Sequence, residues 1–408
     1  MSRQRRERTP RGRSLVGERY TVDVGPVAHG GHFVARHDGR VVFVRHALPG
    51  ERVVVEVTEG EEGSKFLRGD AVEVISSAAD RVEAPCPYAG PGLCGGCDFQ
   101  HVAVPAQREL KAAVVREQLQ RLAGLDVHVV VEAVPGDRDG LAWRTRVQFA
   151  VGDGGRPGLR RHRSREIVYV DRCRIAHPAL PAVTDRTWAG AEEVEAISSS
   201  SGEQLLIETT RREMFVEGPE VLHEEVAGRG FEVTGSGFWQ VHPGAAAALT
   251  AAVVDGLDPQ PGELALDLYA GVGLFSAFVA DRVGPTGRVV MVESDRTAVA
   301  DAERNLADVA QVQPVVDRVE RALRRGEVGE SCDLVVLDPP RVGARRAVVE
   351  AVAALRPRAV AYVACDPGAL ARDVAIFAEQ GYRLGSLRAF DIFPMTHHVE
   401  CVAVLVPA

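Results

Sequence analysis

The chain has 408 residues, 46% of them hydrophobic and 26% charged, the composition of a globular protein with enough apolar side chain for two or three cores and not that of a disordered chain. No apolar run approaches the ~18 residues of a membrane-spanning helix, and the arginine-rich start from Ser2 to Arg13 leads into no apolar signal core, so the expectation is a soluble, cytoplasmic protein. A formal charge of -9 excludes a uniformly cationic nucleic-acid binder, yet two basic clusters stand out, Arg3 to Arg13 and Arg138 to Arg174, either of which could follow phosphates.

Residues 1–13 read as a basic, disordered tail. From 14 to 76 short alternating segments, Arg19–Val24, Val41–Val44, Arg52–Glu59 and Asp70–Ile75, are separated by Gly-rich or Pro-Gly turns, which predicts a small β-barrel. A central α+β region spans 77–235. It opens with Cys86, Cys94 and Cys97, continues through helical spacing over 105–123, and holds the second arginine cluster between strand-like runs Trp143–Val151 and Glu166–Val170. Those arginines should be displayed from a folded surface. Further strand-like stretches lie at Gln204–Thr209 and Glu213–Val216, and Ser198–Ser201 reads as a loop.

Cys86, Cys94 and Cys97, joined by the distant Cys173, form a C-x7-C-x2-C…C arrangement, with Gly95-Gly96 able to fold around a metal. In a cytoplasmic protein such cysteines are not expected to be structural disulfides. Four thiolates suit tetrahedral zinc or a [4Fe-4S] cluster, and the spacing does not choose between them. Cys332 and Cys401 read as core residues.

Residues 236–408 change character. After an alanine-rich helix at Gly244–Gly256, strands at Ala265–Tyr269, Arg288–Glu293, Gln313–Val316, Asp333–Asp338 and Ala359–Cys365 alternate with helices, implying a parallel sheet with crossover helices. The last two runs, Tyr382–Phe390 and Val399–Val406, have no helix between them and should pair antiparallel. The first strand runs into Tyr269-Ala270-Gly271-Val272-Gly273, where glycine lets the backbone approach a ligand, and the second ends in Glu293, placed to accept from ribose hydroxyls. A nucleoside is the expected ligand. The fourth strand ends in Asp338-Pro339-Pro340-Arg341 and the fifth in Cys365-Asp366-Pro367, so topology brings Asp338 and Cys365 to one sheet edge, with a turn at Asp366-Pro367 leaving the thiol at its mouth.

These motifs, with His398-Val399-Glu400 near the end, resemble those of the RNA uracil-5 methyltransferases that include the bacterial tRNA and 23S rRNA enzymes, and the resemblance covers almost the whole chain. Two departures are Ala364 and Asp366, where the family has Ser and Asn; a third is Leu274, where some members carry an amide. The resemblance implies a Rossmann-like class I α/β methyltransferase domain, a TRAM or OB-like RNA-binding barrel and a central iron-sulfur domain. It implies S-adenosylmethionine as cofactor, with Gln240, Tyr269, Gly271, Glu293, Asp317 and Asp338 as contacts. Cys365 would be the nucleophile and Glu400 the base. Uracil C5 is too weak a nucleophile to take a methyl group directly, and thiolate addition at C6 makes it enolate-like. The ribosomal-RNA branch carries a [4Fe-4S] cluster on cysteines in this order, which favours iron over zinc on Cys86, Cys94, Cys97 and Cys173 and 23S rRNA over tRNA as partner. The expected protein is a monomer. Competing readings are a metal-stabilised RNA-binding or RNA-folding protein, and methylation of cytosine C5 or an exocyclic amine.

Overall fold

The computed structural model describes residues 12–408; of the expected basic tail and the first arginine cluster, everything up to residue 11 lies outside them. Strands β1 (Arg19–Ala28), β2 (His32–His37), β3 (Arg40–Arg45), β4 (Arg52–Glu59) and β5 (Phe66–Ser76) close into a barrel in the order β1-β2-β3-β5-β4, with β4 pairing back onto β1. Alternate residues such as Val22, Val24, Phe33, Val42, Val44, Val53 and Val55 fill its interior. Closure leaves no open sheet edge. The sequence reading lacked β2, whose segment His-Phe-Val-Ala-Arg-His offers only Phe33 and Ala35 as apolar inward residues.

The middle of the chain forms α1 (Val104–Ala123), β6 (Val131–Ala133), β7 (Arg146–Val151), β8 (Pro157–Arg160), β9 (Ile167–Val168), β10 (Ala191–Ser198), β11 (Gln204–Thr210) and β12 (Met214–Glu217). All but α1 and β6 build a six-stranded sheet, β12-β11-β10-β7-β8-β9. The two-stranded hairpin of β13 (Val221–Val226) and β14 (Arg229–Thr234) follows. Trp143 stands before β7, not in it, and is almost fully buried against Ile175 and Met395.

The rest is a doubly wound α/β layer: α2 (Ala245–Leu257), β15 (Leu264–Leu268), α3 (Leu274–Val283), β16 (Arg288–Glu293), α4 (Arg296–Asn305), β17 (Val312–Val316), α5 (Val319–Arg325), β18 (Leu334–Leu337), α6 (Arg345–Ala354), β19 (Ala359–Ala364), α7 (Pro367–Glu379), β20 (Tyr382–Asp391) and β21 (Glu400–Pro407). The sheet order is β17-β16-β15-β18-β19-β21-β20-β6. Strands β15 to β19 run parallel, and β21 is antiparallel to both neighbours, as the missing helix between the last two strands predicted. Order reverses at β15, which opens a crevice at the carboxyl ends of the strands. Residues 104–133 join this layer: α1 packs on α7, Ala112, Val115 and Leu119 enter its core, and β6 adds a parallel edge strand to β20. No described helix is long and apolar enough to cross a membrane.

Candidate active site

The crevice is shaped by a strained turn. Tyr269, Gly271 and Gly273 all have positive φ (68°, 55° and 86°), a conformation unusual for tyrosine. Gly271 N–H donates to Glu293 Oε2 at 3.1 Å, while Glu293 Oε1 accepts from the N–H groups of Ser294 and Asp295 at 2.5 and 2.8 Å. Backbone donors thus fix the carboxylate at the end of β16. A cavity of about 540 Å³ opens beside it, lined by Tyr269, Glu293, Ser294, Arg318, Arg321 and Pro340 among others. That volume suits a nucleoside-sized ligand. Four expected contacts, Gln240, Gly271, Asp317 and Asp338, stand outside this lining. Gln240 follows the β13–β14 hairpin, and Asp317 is tied to Arg321 and Arg325 at 3.3 and 3.4 Å.

Asp267, inside β15, was missed although an acid in an apolar strand is a readable signal. It is 1% exposed, accepts from Ser276 Oγ at 2.7 Å, and leaves Oδ1 without a partner; burial pushes it up to about 6. Asp338, facing it, is pushed up to about 7 by burial and by Asp267. Two acids short of partners fit a ligand that brings positive charge or N–H donors, as S-adenosylmethionine does.

Register assembles the reactive edge. Leu337 pairs with Tyr362 and Ala364 with Cys401, so the adjacent Asp338, Cys365 and Glu400 emerge at one end of three neighbouring strands. Burial pushes the Cys365 thiol up to about 11, with Glu400 and Asp338 adding to it and Arg341 opposing. Glu400, 5% exposed, is raised well above the carboxylate range by burial and by Asp338, again opposed by Arg341. The arginine of the Asp-Pro-Pro-Arg motif is therefore the cation that faces both groups. Asp366 caps α7 through the Ala369 N–H at 2.7 Å, with Pro367 in the first turn, so the turn after Cys365 forms as its sequence predicts.

The segment 392–399, which leads into Glu400, is clamped from outside its own sheet. Met395 O accepts from the N–H groups of Asp98 and Phe99 at 2.9 and 3.0 Å, and Met395 N–H donates to Gln107 Oε1 at 2.8 Å. His397 Nδ1 lies 2.6 Å from Asp98 Oδ2, and Arg45 of the barrel approaches Asp98 at 3.4 Å. Burial alone would raise the Asp98 carboxyl, but His397 and Arg45 hold it below the usual range. At the start of the segment, Lys111 and Asp391 form an ion pair with both side chains fully buried.

Cys86, Cys94, Cys97 and Cys173 line one cavity of about 340 Å³. All four are free thiols; Cys94 Sγ accepts from Gly96 N–H and Cys97 Sγ from Gln100, each at 3.4 Å. Among the described residues, however, no three Cys, His, Asp or Glu side chains are drawn together as a metal-ligand set. The donor chemistry fits a thiophilic centre. Cys332 and Cys401 are buried, as expected of core residues.

Not every arginine of the second cluster is on display. Arg146 turns inward, donating to the carbonyls of Gly237 and Gly235 at 2.7 Å each, because these carbonyls lie past the end of β14 and outside its ladder, and the guanidinium reaches both. Arg161 and Arg163 do remain at the surface and, with Arg45 and Arg68 against Glu59 and Asp70, line a net basic cleft of about 300 Å³ beside the barrel, whose His32 and His162 rings are pushed down to about 4 by burial and the neighbouring arginines.

Residues 13–72 match the TRAM domain family, and residues 323–407 match the tRNA (Uracil-5-)-methyltransferase family. An uncharacterized RNA methyltransferase of Streptomyces avermitilis is 49% identical over 96% of this chain and 99% of its own. The chain belongs to the RNA uracil-5 methyltransferase family. A second member of this kind, an uncharacterized RNA methyltransferase of Streptomyces coelicolor, is 50% identical over 97% of this chain and 94% of its own. The fold of this chain recurs in the tRNA (uracil-54, C5)-methyltransferase of Pyrococcus abyssi, crystallised with S-adenosyl-L-homocysteine: TM-score 0.70 at 22% identity, covering 94% of this chain and 99% of that one.

Proposed function

We propose that this protein transfers a methyl group from S-adenosylmethionine to C5 of a specific uridine in RNA through a covalent bond between Cys365 and uracil C6. The observation that carries the reading is the meeting of Cys365, Glu400 and Asp338 at one sheet edge, next to the nucleoside-sized crevice at Glu293. The Cys365 thiolate adds to C6 and makes C5 nucleophilic; the cofactor would supply the electrophilic methyl group; Glu400, as the carboxylate, then takes the C5 proton, and cleavage of the C6–S bond releases the thiolate. Tyr269, Gly271, Glu293 and Asp338 hold the cofactor, with Gln240 and Asp317 as outer contacts. Asp338, short of partners, suits its positive end. An amine methyltransferase needs no nucleophile, and the paired thiol and buried acid favour the uracil chemistry.

The barrel over 14–76 and the basic cleft beside it bind the RNA strand, the region 77–235 carries the cysteine cavity, and 236–408 performs the chemistry. Cys86, Cys94, Cys97 and Cys173 hold a [4Fe-4S] cluster, which supplies structural cross-linking and no step of the reaction. That centre favours 23S rRNA over tRNA as substrate. The protein acts as a cytoplasmic monomer. The test is Glu400→Gln with 5-methyluridine mapping of both RNAs: addition and methyl transfer proceed, release does not, and RNA stays attached to Cys365. Turnover falls by about 10²–10⁴-fold, the usual weight of a positioned base. A Glu400→Gln enzyme that turns over normally removes Glu400 as the base.

A further inference from the structure

The barrel reaches into the active site at one point. The tip between β1 and β2, His29-Gly30-Gly31, lies against both catalytic segments. His29 Nε2 donates to Asp366 Oδ2 at 3.0 Å, across 337 positions of sequence. The carboxylate of Asp366 is divided between two tasks, since its Oδ1 accepts from Ala369 N–H to cap α7. On the other side of the tip, a Cβ built on Gly31 would stand 2.7 Å from His397 Cβ, so only glycine, here at φ 75°, permits this approach. Asp366 follows Cys365 directly, and His397 precedes Glu400 by three residues. One hairpin tip therefore touches the turn that presents the nucleophile and the loop that presents the base.

We propose that His29 is a positioning residue for Cys365: its hydrogen bond to Asp366 fastens the barrel to the nucleophile's turn, so that the RNA-binding barrel itself sets the thiol's reactive geometry. This rests on the reading of Cys365 as nucleophile. The charged surroundings favour the pairing. The hydrogen bond to Asp366 raises the His29 pKa, burial opposes this, and Glu117 and Arg121 of α1 act in opposite senses. Burial would raise the Asp366 carboxyl, but the His29 hydrogen bond, the Ala369 N–H and Arg372 bring it below its ordinary value. The bond is charge-assisted while His29 is protonated and weakens as pH rises through the raised imidazole value.

The test uses the full chain and a 5-fluorouridine-substituted RNA, reading the rate of covalent adduct formation on Cys365 at saturating RNA from pH 5.5 to 8.5, beside melting temperature and RNA affinity. His29→Ala slows adduct formation about tenfold below pH 6.5, in line with loss of a hydrogen bond between charged groups, and the deficit shrinks at higher pH. Melting temperature is unchanged. His29→Gln, whose amide nitrogen can stand where Nε2 does, restores the rate to within about threefold, the scale of a neutral hydrogen bond, and removes the pH dependence of the deficit. In the pair His29→Ala and Asp366→Asn, the double variant is no slower than the slower single one. The proposal is overturned if His29→Ala forms adduct at the wild-type rate, including the case where only RNA affinity falls, or if the two substitutions add fully. Failure of the wild-type protein to form any adduct would sink the nucleophile reading and this proposal with it, and is told apart from those results by that control.

Discussion

Replacing Lys111 by methionine isolates how the loop leading into Glu400 is held. Lys111 Nζ donates to Asp391 Oδ1 at 2.5 Å and to Phe393 O at 3.0 Å, and neither side chain of the ion pair is exposed. Asp391 Oδ2 already has no partner, so the substitution leaves the whole carboxylate charge buried alone. Breaking a buried pair from one side costs about 3–5 kcal/mol. That is roughly two to four powers of ten in the folding equilibrium. Urea unfolding followed by tryptophan fluorescence suits the measurement, because Trp143 packs within 6.1 Å of the Phe393 ring and reports on this loop. The double variant Lys111→Met with Asp391→Leu should recover most of it, short of the ~1–3 kcal/mol for the bare Phe393 carbonyl. Lys111→Met within 1 kcal/mol of wild type, or a double variant no more stable than the single, would refute the argument.

Two further outcomes follow from the site. Because the Cys365 thiol is pushed up to about 11, its thiolate fraction grows about tenfold per pH unit below that value, and alkylation of the Cys365 peptide by iodoacetamide should rise accordingly from pH 6 to 10; Arg341→Leu, removing the opposing cation, should slow it, and a plateau below pH 8 would contradict the burial argument. Gly95→Ala would bring a Cβ within 2.5 Å of His162 N, a backbone atom that cannot step aside. Overpacking costs about 1–3 kcal/mol, so under the proposed [4Fe-4S] assignment the anaerobically purified variant should hold less iron than wild type; full occupancy at about four irons per chain would show that the loop between Cys94 and Cys97 does not shape the centre.

Much of the architecture was legible because it rests on local pattern. The βα alternation fixed the parallel strands to within a residue or two, and the two runs Tyr382–Phe390 and Val399–Val406, with no helix between them, foretold the antiparallel β20–β21 pair. Cys365 and Asp338 could be placed at one edge from topology alone. What stayed hidden depends on contacts between distant segments. Helical spacing announced α1 but not that it would pack on α7, since a helix period says which face is apolar and nothing about its partner. The three-residue β6 carries no pattern at all. Arg146 reads like its neighbours in a basic cluster, and only the carbonyls of Gly235 and Gly237, some ninety residues on, make it structural.

The same limit explains the loop before Glu400. Nothing in Met395, Thr396 or His397 announces a function, yet Asp98 and Phe99 hold Met395 O, Gln107 holds its N–H, Asp98 holds the His397 ring, and Gly31 abuts His397. Asp98 follows Cys97 directly, so the segment that lines the cysteine cavity is also the segment that grips the loop. Arg45 of the barrel closes the chain of contacts on Asp98. A buried acid between an arginine and a histidine is stable only while both stay in place, because removing either leaves charge without a partner. Barrel, cysteine segment and the loop before Glu400 are therefore mutually dependent, and the position of Glu400 is set by residues from two regions outside its own sheet.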